Sequence, residues 1–298
     1  MRPSGTRNLD FCYSLTASAL FAALYYYSTL LQPLNGEQIY GWRILLTVPC
    51  LTLLLIAGGK WREVAAIAGR ALRTPWFAGQ LPLTSALLGV QLWLFLWAPV
   101  NGKGLDVSLG YFLLPLTLVL SGRLVFGEPI SRFQAVACLL AAVGVGNELA
   151  MAQTLSWPAF VVALGYPLYF CLRRRNGTDN LGGLWFDMTL SLPVSLAFVL
   201  RDAQTLHWVV ATPRPLLLIL GLGALSALAL ALMMLAARKL NLTLFGLLSY
   251  AEPVMLVGVS LLIGESIARD KWLTYGAIWA AILVLVVEGV LVLRRRVR

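Results

Sequence analysis

The sequence predicts an all-α integral membrane protein, with ten transmembrane helices arranged as two inverted-topology five-helix repeats. Three observations lead there: the composition, the number of apolar runs, and one block of sequence that occurs twice. Of the 298 residues, 59% are hydrophobic and only 12% charged, and the mean hydropathy is +0.81. Soluble domains are about half apolar and a quarter charged. A span needs about 20 mainly apolar residues, and runs of that kind fall near 9–31, 38–58, 76–98, 106–126, 132–149, 157–173, 181–200, 215–236, 241–263 and 271–293.

The first run follows Arg2 and Arg7 but has no small-residue cleavage site leading to a soluble domain, so it reads as a retained helix. In the second, Arg43 lies a turn or two from the interface, where so long a side chain can snorkel outward. The third carries Gln80, Thr84, Leu87, Gln91 and Phe95 at helical spacing on one face. Gln91 is the deeper amide and must hydrogen-bond to another helix, to water or to a solute. The fourth contains Gly110, Tyr111, Pro115 and Gly122 and stops at Gly127-Glu128-Pro129. Proline removes a backbone hydrogen bond and glycine eases bending, so this helix can hinge.

Small residues such as Ala137, Ala141 and Gly144 in the fifth run, with Ala277, Ala280 and Ala281 in the tenth, suit close scaffold packing. The sixth carries Tyr166 and Tyr169 and ends in Arg173-Arg174-Arg175, a topology anchor. Asp187 in the seventh is near enough to a span end for a solvated placement, and the eighth is apolar up to Arg238-Lys239. The ninth repeats the fourth: Gly246, Tyr250, Pro253 and Gly258, closing at Gly264-Glu265. Glu252, just before Pro253, lies in mid-span, where an ionisable group is costly and turns toward a partner or a wet cavity.

Aligning Gly127-Glu128 with Gly264-Glu265 brings Pro115 within one residue of Pro253 and Tyr111 within two of Tyr250. The repeats are residues 1–150 and 151–298. Five is odd, so the second copy enters the membrane from the opposite side, as in secondary transporters with a midplane site between their halves. With the N-terminus inside, 17 of the 23 lysines and arginines lie on inside segments, which makes both termini cytoplasmic.

The net charge of +10 is spread in short clusters between apolar runs, which argues against nucleic acid as a partner. Four cysteines without CxxC spacing and one histidine, His207, leave no material for a metal site, a disulfide framework or a catalytic triad, so neither enzyme nor cofactor is expected. The groups nearest mid-depth, Gln91, Tyr111, Tyr166, Tyr250 and Glu252, are candidate substrate contacts, with Gly110, Pro115, Gly246 and Pro253 as candidate hinges. An ammonium can meet Glu252 or tyrosine faces while a carboxylate accepts from Gln91 and tyrosine hydroxyls.

The run DVSLGYFLLPLTLVLSGRLVFGEPISRFQAVACLLAAVGV, with Gln38-Ile39, Trp42-Arg43, Tyr169 before the three arginines, and Leu242-Thr243 with Gly246, Tyr250 and Pro253, resembles the drug/metabolite transporter superfamily. The match is to its EamA-type, RarD-like branch, which includes bacterial aromatic amino acid exporters; Glu252 departs from the glycine usual before that proline. The resemblance implies an inner-membrane exporter of amino acids or related small metabolites, acting as a monomer by alternating access. Its cavity would be lined by spans one, three, four, six, eight and nine. The same chemistry admits organic cations such as quaternary amines, and a metabolite channel is the other alternative.

Overall fold

The computed structural model describes residues 4–100, 104–152, 157–202, 206–207, 209, 211–255 and 272–297, and among them every regular element is helical. The elements are α1 (Ser4–Thr29), α2 (Gly36–Ala57), α3 (Trp61–Arg73), α4 (Pro75–Val100), α5 (Gly104–Phe126), α6 (Arg132–Ala152), α7 (Trp157–Asn176), α8 (Leu181–Leu190), α9 (Leu192–Leu200), α10 (Pro213–Lys239), α11 (Leu242–Leu248) and α12 (Trp272–Val297). Gly258, Gly264 and Glu265 lie outside the described residues.

Four helices are long and apolar enough to cross a bilayer alone: Gly36–Ala57, Pro75–Ala98, Arg132–Met151 and Pro213–Lys239. The pair α8 and α9, bent by 41° at Ser191, makes a fifth. Shorter apolar helices run over Gly110–Phe126, Leu242–Met255 and Trp272–Glu288. Large apolar side chains point outward along them, Leu139 and Leu217 at 67% exposure among others, as lipid-facing surfaces require.

Three local features differ from the sequence reading. The charged Lys60–Arg73 connection contains a helix, α3, which lays Val64 and Ile67 inward. Its Glu63 meets the Gly182 N–H at 3.3 Å and Arg238 at 3.1 Å. The seventh span breaks just before Pro193, whose ring cannot continue the preceding turn. The ninth is interrupted at Ser249 and Tyr250 and resumes at Ala251, because Pro253 has no N–H to offer the Ser249 carbonyl. The helix that covers the fourth run, α5, stays continuous through Pro115.

Prolines inside helices leave carbonyls that need other donors. Pro167 abandons the Ala163 carbonyl, and the Thr117 hydroxyl of α5 supplies the bond at 2.6 Å. Beside the Tyr111 carbonyl that Pro115 leaves, the Tyr250 hydroxyl donates to the Phe112 carbonyl at 3.2 Å. Both bonds tie α5 to a neighbour. The main core joins α1, α2, α4, α5, α7, α8, α10 and α11, and a smaller one, with Phe112, Ala141, Tyr250 and Ile278, seats α6 and α12 against α5 and α11.

Two charges are placed differently from expectation. Asp187 is fully buried, not solvated: it holds Arg173 at 3.2 Å and accepts from the Thr84 hydroxyl at 2.8 Å and the Tyr169 hydroxyl at 2.9 Å. Arg173 is therefore an internal tie between α7 and α8 as well as part of a basic cluster. Arg43 does not snorkel; it is 1% exposed, with Nε donating to the Ser226 hydroxyl of α10 at 2.8 Å. A buried charge requires compensation: for Asp187 it comes from Arg173 on the neighbouring helix, and for Arg43 the hydroxyl partner is 183 positions away.

Candidate functional site

Where α1, α2, α4, α5, α7, α10 and α11 converge, they enclose a cavity of about 720 Å³, its mouth included. Its walls are aromatic. Phe95 and Tyr111 meet edge to face with centroids 5.9 Å apart, Tyr111 and Tyr166 lie 6.3 Å apart, and Tyr166 stacks on Phe170 at 6.3 Å, which meets Phe245 at 5.0 Å.

Polar groups enter at separate points. Ser14 and Ser18 of α1 and Ser249 at the break in α11 line the cavity with hydroxyls. Arg43 enters from α2 and Glu252 from the chain that resumes after α11. Glu252 follows the interruption at Ser249 and Tyr250. Arg43 and Glu252 are within electrostatic reach of each other, yet they form no ion pair within 4 Å among the described residues. The cavity therefore holds a guanidinium and a carboxyl group at separate points between aromatic walls.

Outside the cavity lining, the turn after α5 reaches the start of α11. Glu128 accepts from the backbone N–H groups of Leu242 and Thr243 at 2.9 and 2.8 Å and holds Arg174 at 2.6 Å. Arg174 also donates to the Leu240 carbonyl at 2.8 Å. Burial works against the charge on Glu128, but the two N–H groups and Arg174 together hold its carboxyl below the ordinary carboxylate range.

No family model matches the chain. It is 41% identical over 286 residues to the chloramphenicol-sensitive protein RarD of Pseudomonas aeruginosa, covering 96% of each chain. The chain belongs to the RarD-like transporter family. An uncharacterized transporter of Pasteurella multocida is 41% identical to this RarD-like chain over 284 residues, 95% of it and 97% of the relative. The protein RarD of Escherichia coli is 26% identical over 283 residues. A solved crystal structure shares the fold, with a TM-score of 0.68 over 98% of this chain and 99% of that one at 16% identity. Membership and the apolar helices make the RarD-like chain a multi-pass membrane transporter.

Among the residues expected at the site, Tyr111, Tyr166, Glu252, Pro115 and Pro253 line the cavity together. Gln91 does not: its side-chain amide donates to the Val161 carbonyl of α7 at 2.8 Å, and it is 1% exposed. Tyr250 is also outside, fully buried in the smaller core with its hydroxyl on Phe112. Gly110 and Gly246 serve as close contacts, since a Cβ on Gly110 would lie 2.7 Å from the Val162 Cβ. Thr84 of the third-span face turns to Asp187, while Phe95 reaches the cavity. The sequence reading set Arg43 near the interface and Phe95 on the third-span face, and it overlooked Phe170 and Ser249. A charge seven residues inside an apolar helix was the available signal for Arg43, but its partner Ser226 is 183 positions away.

Proposed function

We propose that the protein is an inner-membrane member of the drug/metabolite transporter superfamily, EamA-type, that exports aromatic and other neutral amino acids or related metabolites by alternating access. The observation that carries this is the cavity itself: aromatic walls suited to a ring or apolar side chain, with opposite charges at separate points. A zwitterion leaving water needs both charges met, and an α-amino acid carries both on one carbon.

The reading of two inverted five-helix repeats, 1–150 and 151–298, finds support in the packing. Exchanging α1 with α7, α2 with α8 and α9, α4 with α10, α5 with α11 and α6 with α12 maps one set of neighbours onto the other. Thus α1 packs on α10 as α7 does on α4, α2 on α10 as α8 does on α4, and α5 on α7 as α11 does on α1; α2 with α9, α5 with α11 and α6 with α12 pair across the halves. In this account the site lies between the repeats, the broken helix α11 and the Pro115 region of α5 are its hinges, both termini are cytoplasmic, and a single chain suffices.

Organic cations are the second reading, because Glu252 and the tyrosine faces suit a quaternary amine. The Pseudomonas relative's name attaches chloramphenicol sensitivity to that protein, so drug-like aromatics belong in the same panel. The test is counterflow in proteoliposomes. Internal phenylalanine should accelerate entry of labelled phenylalanine, and E252Q, which keeps volume and removes charge, should slow it selectively for substrates bearing an amine. Exchange of quaternary amines alone would favour the second reading, and flux without counterflow would indicate a channel.

A further inference from the structure

We propose that Arg43 is the receptor for a carboxylate on the transported solute, which makes the site selective for zwitterions over plain amines. This rests on the transporter reading above and names the substrate class it takes. Four observations support it. Arg43 lines the cavity and is 1% exposed. Its Nε is fixed by the Ser226 hydroxyl at 2.8 Å, so the guanidinium is aimed, not mobile. Nη2 is buried and makes no hydrogen bond with any described residue. Glu252, the one acid lining the same cavity, forms no ion pair with it within 4 Å among the described residues.

An unsatisfied donor on a buried cation is costly, and evolution has a cheap remedy in apolar replacement of buried charges. A held, one-sided guanidinium is therefore better explained as a receptor than as packing. Arginine is the side chain suited to the task, because its planar fork matches carboxylate geometry and it stays charged when desolvated. Phe21, with its ring centroid 6.0 Å from the guanidinium carbon, walls one side. A solute carboxylate seated on Arg43 leaves its amine to face Glu252 and its side chain to meet the aromatic wall.

The test uses three probes on purified native protein: L-phenylalanine with both charges, L-phenylalaninamide with only the amine, and 3-phenylpropanoate with only the carboxylate. Native protein should bind phenylalanine at least about tenfold more tightly than the amide, as expected for a charged hydrogen-bonded pair. R43Q should lose about tenfold or more for phenylalanine and phenylpropanoate while holding the amide within about twofold. R43K, which keeps charge but not the fork, should fall between. Equal loss for all three probes in R43Q would mean that Arg43 is structural, and the inference fails. If R43Q does not fold, the native comparison decides alone: the amide binding as tightly as phenylalanine refutes it. Absence of phenylalanine binding and exchange in native protein would instead sink the amino acid reading itself.

Discussion

At the crossing of α5 and α11, Pro115 and Gly246 touch: a Cβ added to Gly246 would lie 3.1 Å from the Pro115 carbonyl oxygen and 2.7 Å from the Leu118 Cβ. Helices α5 and α11, which both line the cavity, are thus packed too closely at this crossing for any residue but glycine.

Gly246→Ala should therefore force α5 and α11 apart. Overpacking of this kind costs about 1–3 kcal/mol, so the thermal midpoint should drop and transport should fall beyond the loss of folded protein. Unchanged stability and rate would show that the crossing has room to relax.

Glu128 joins the turn after α5 to the start of α11 and to Arg174. Glu128→Gln removes the charge from both, with an expected cost of about 1–3 kcal/mol. Because its carboxyl is held below the ordinary range, this contribution is fully present above the unfolded value of about 4.3 and is lost as pH falls through the lower folded value. The stability gap between native protein and the variant, followed by thermal unfolding against pH, should be flat near neutrality and begin to close as pH falls below about 4.3.

Asp187 is the sole acid paired with the fully buried Arg173 among the described residues. Asp187→Asn leaves that cation uncompensated and should cost about 3–5 kcal/mol, seen as loss of monodisperse protein in size-exclusion chromatography. Replacing both partners with apolar residues should recover much of the yield.

The two tyrosines separate structure from binding. Tyr250→Phe loses the bond to the Phe112 carbonyl and should lower stability by about 1 kcal/mol with affinity for phenylalanine unchanged. Tyr166→Ala opens the cavity wall and should weaken that affinity by about tenfold or more, read by titration calorimetry. Equal effects on binding would place Tyr250 at the site after all.

Much of the cavity was legible because polar groups and prolines stand out in apolar helices: Tyr111, Tyr166, Glu252, Pro115 and Pro253 needed no partner to be noticed. Gln91 and Tyr250 carried the same signal for another reason, since each satisfies a carbonyl on a neighbouring helix, Val161 or Phe112. Sequence alone cannot tell a polar group held for a solute from one held for the backbone. Arg43 was misplaced because its partner Ser226 is 183 positions away; Asp187 was misplaced because Arg173, with which it pairs, also reads as part of a basic cluster at a span end. Helix α3 read as a loop because its charges dominate, and its Val64 and Ile67 stripe has meaning only against the elements it covers.

The central claim, a single cavity reached in turn from both sides of the membrane, is tested most directly by the accessibility of Ser249, which lines it. Ser249→Cys, with the four native cysteines replaced, should react with a membrane-impermeant thiol reagent from the cytoplasmic face and from the external face, and phenylalanine should slow both reactions. Labelling from one side only, unaffected by phenylalanine, would contradict the account.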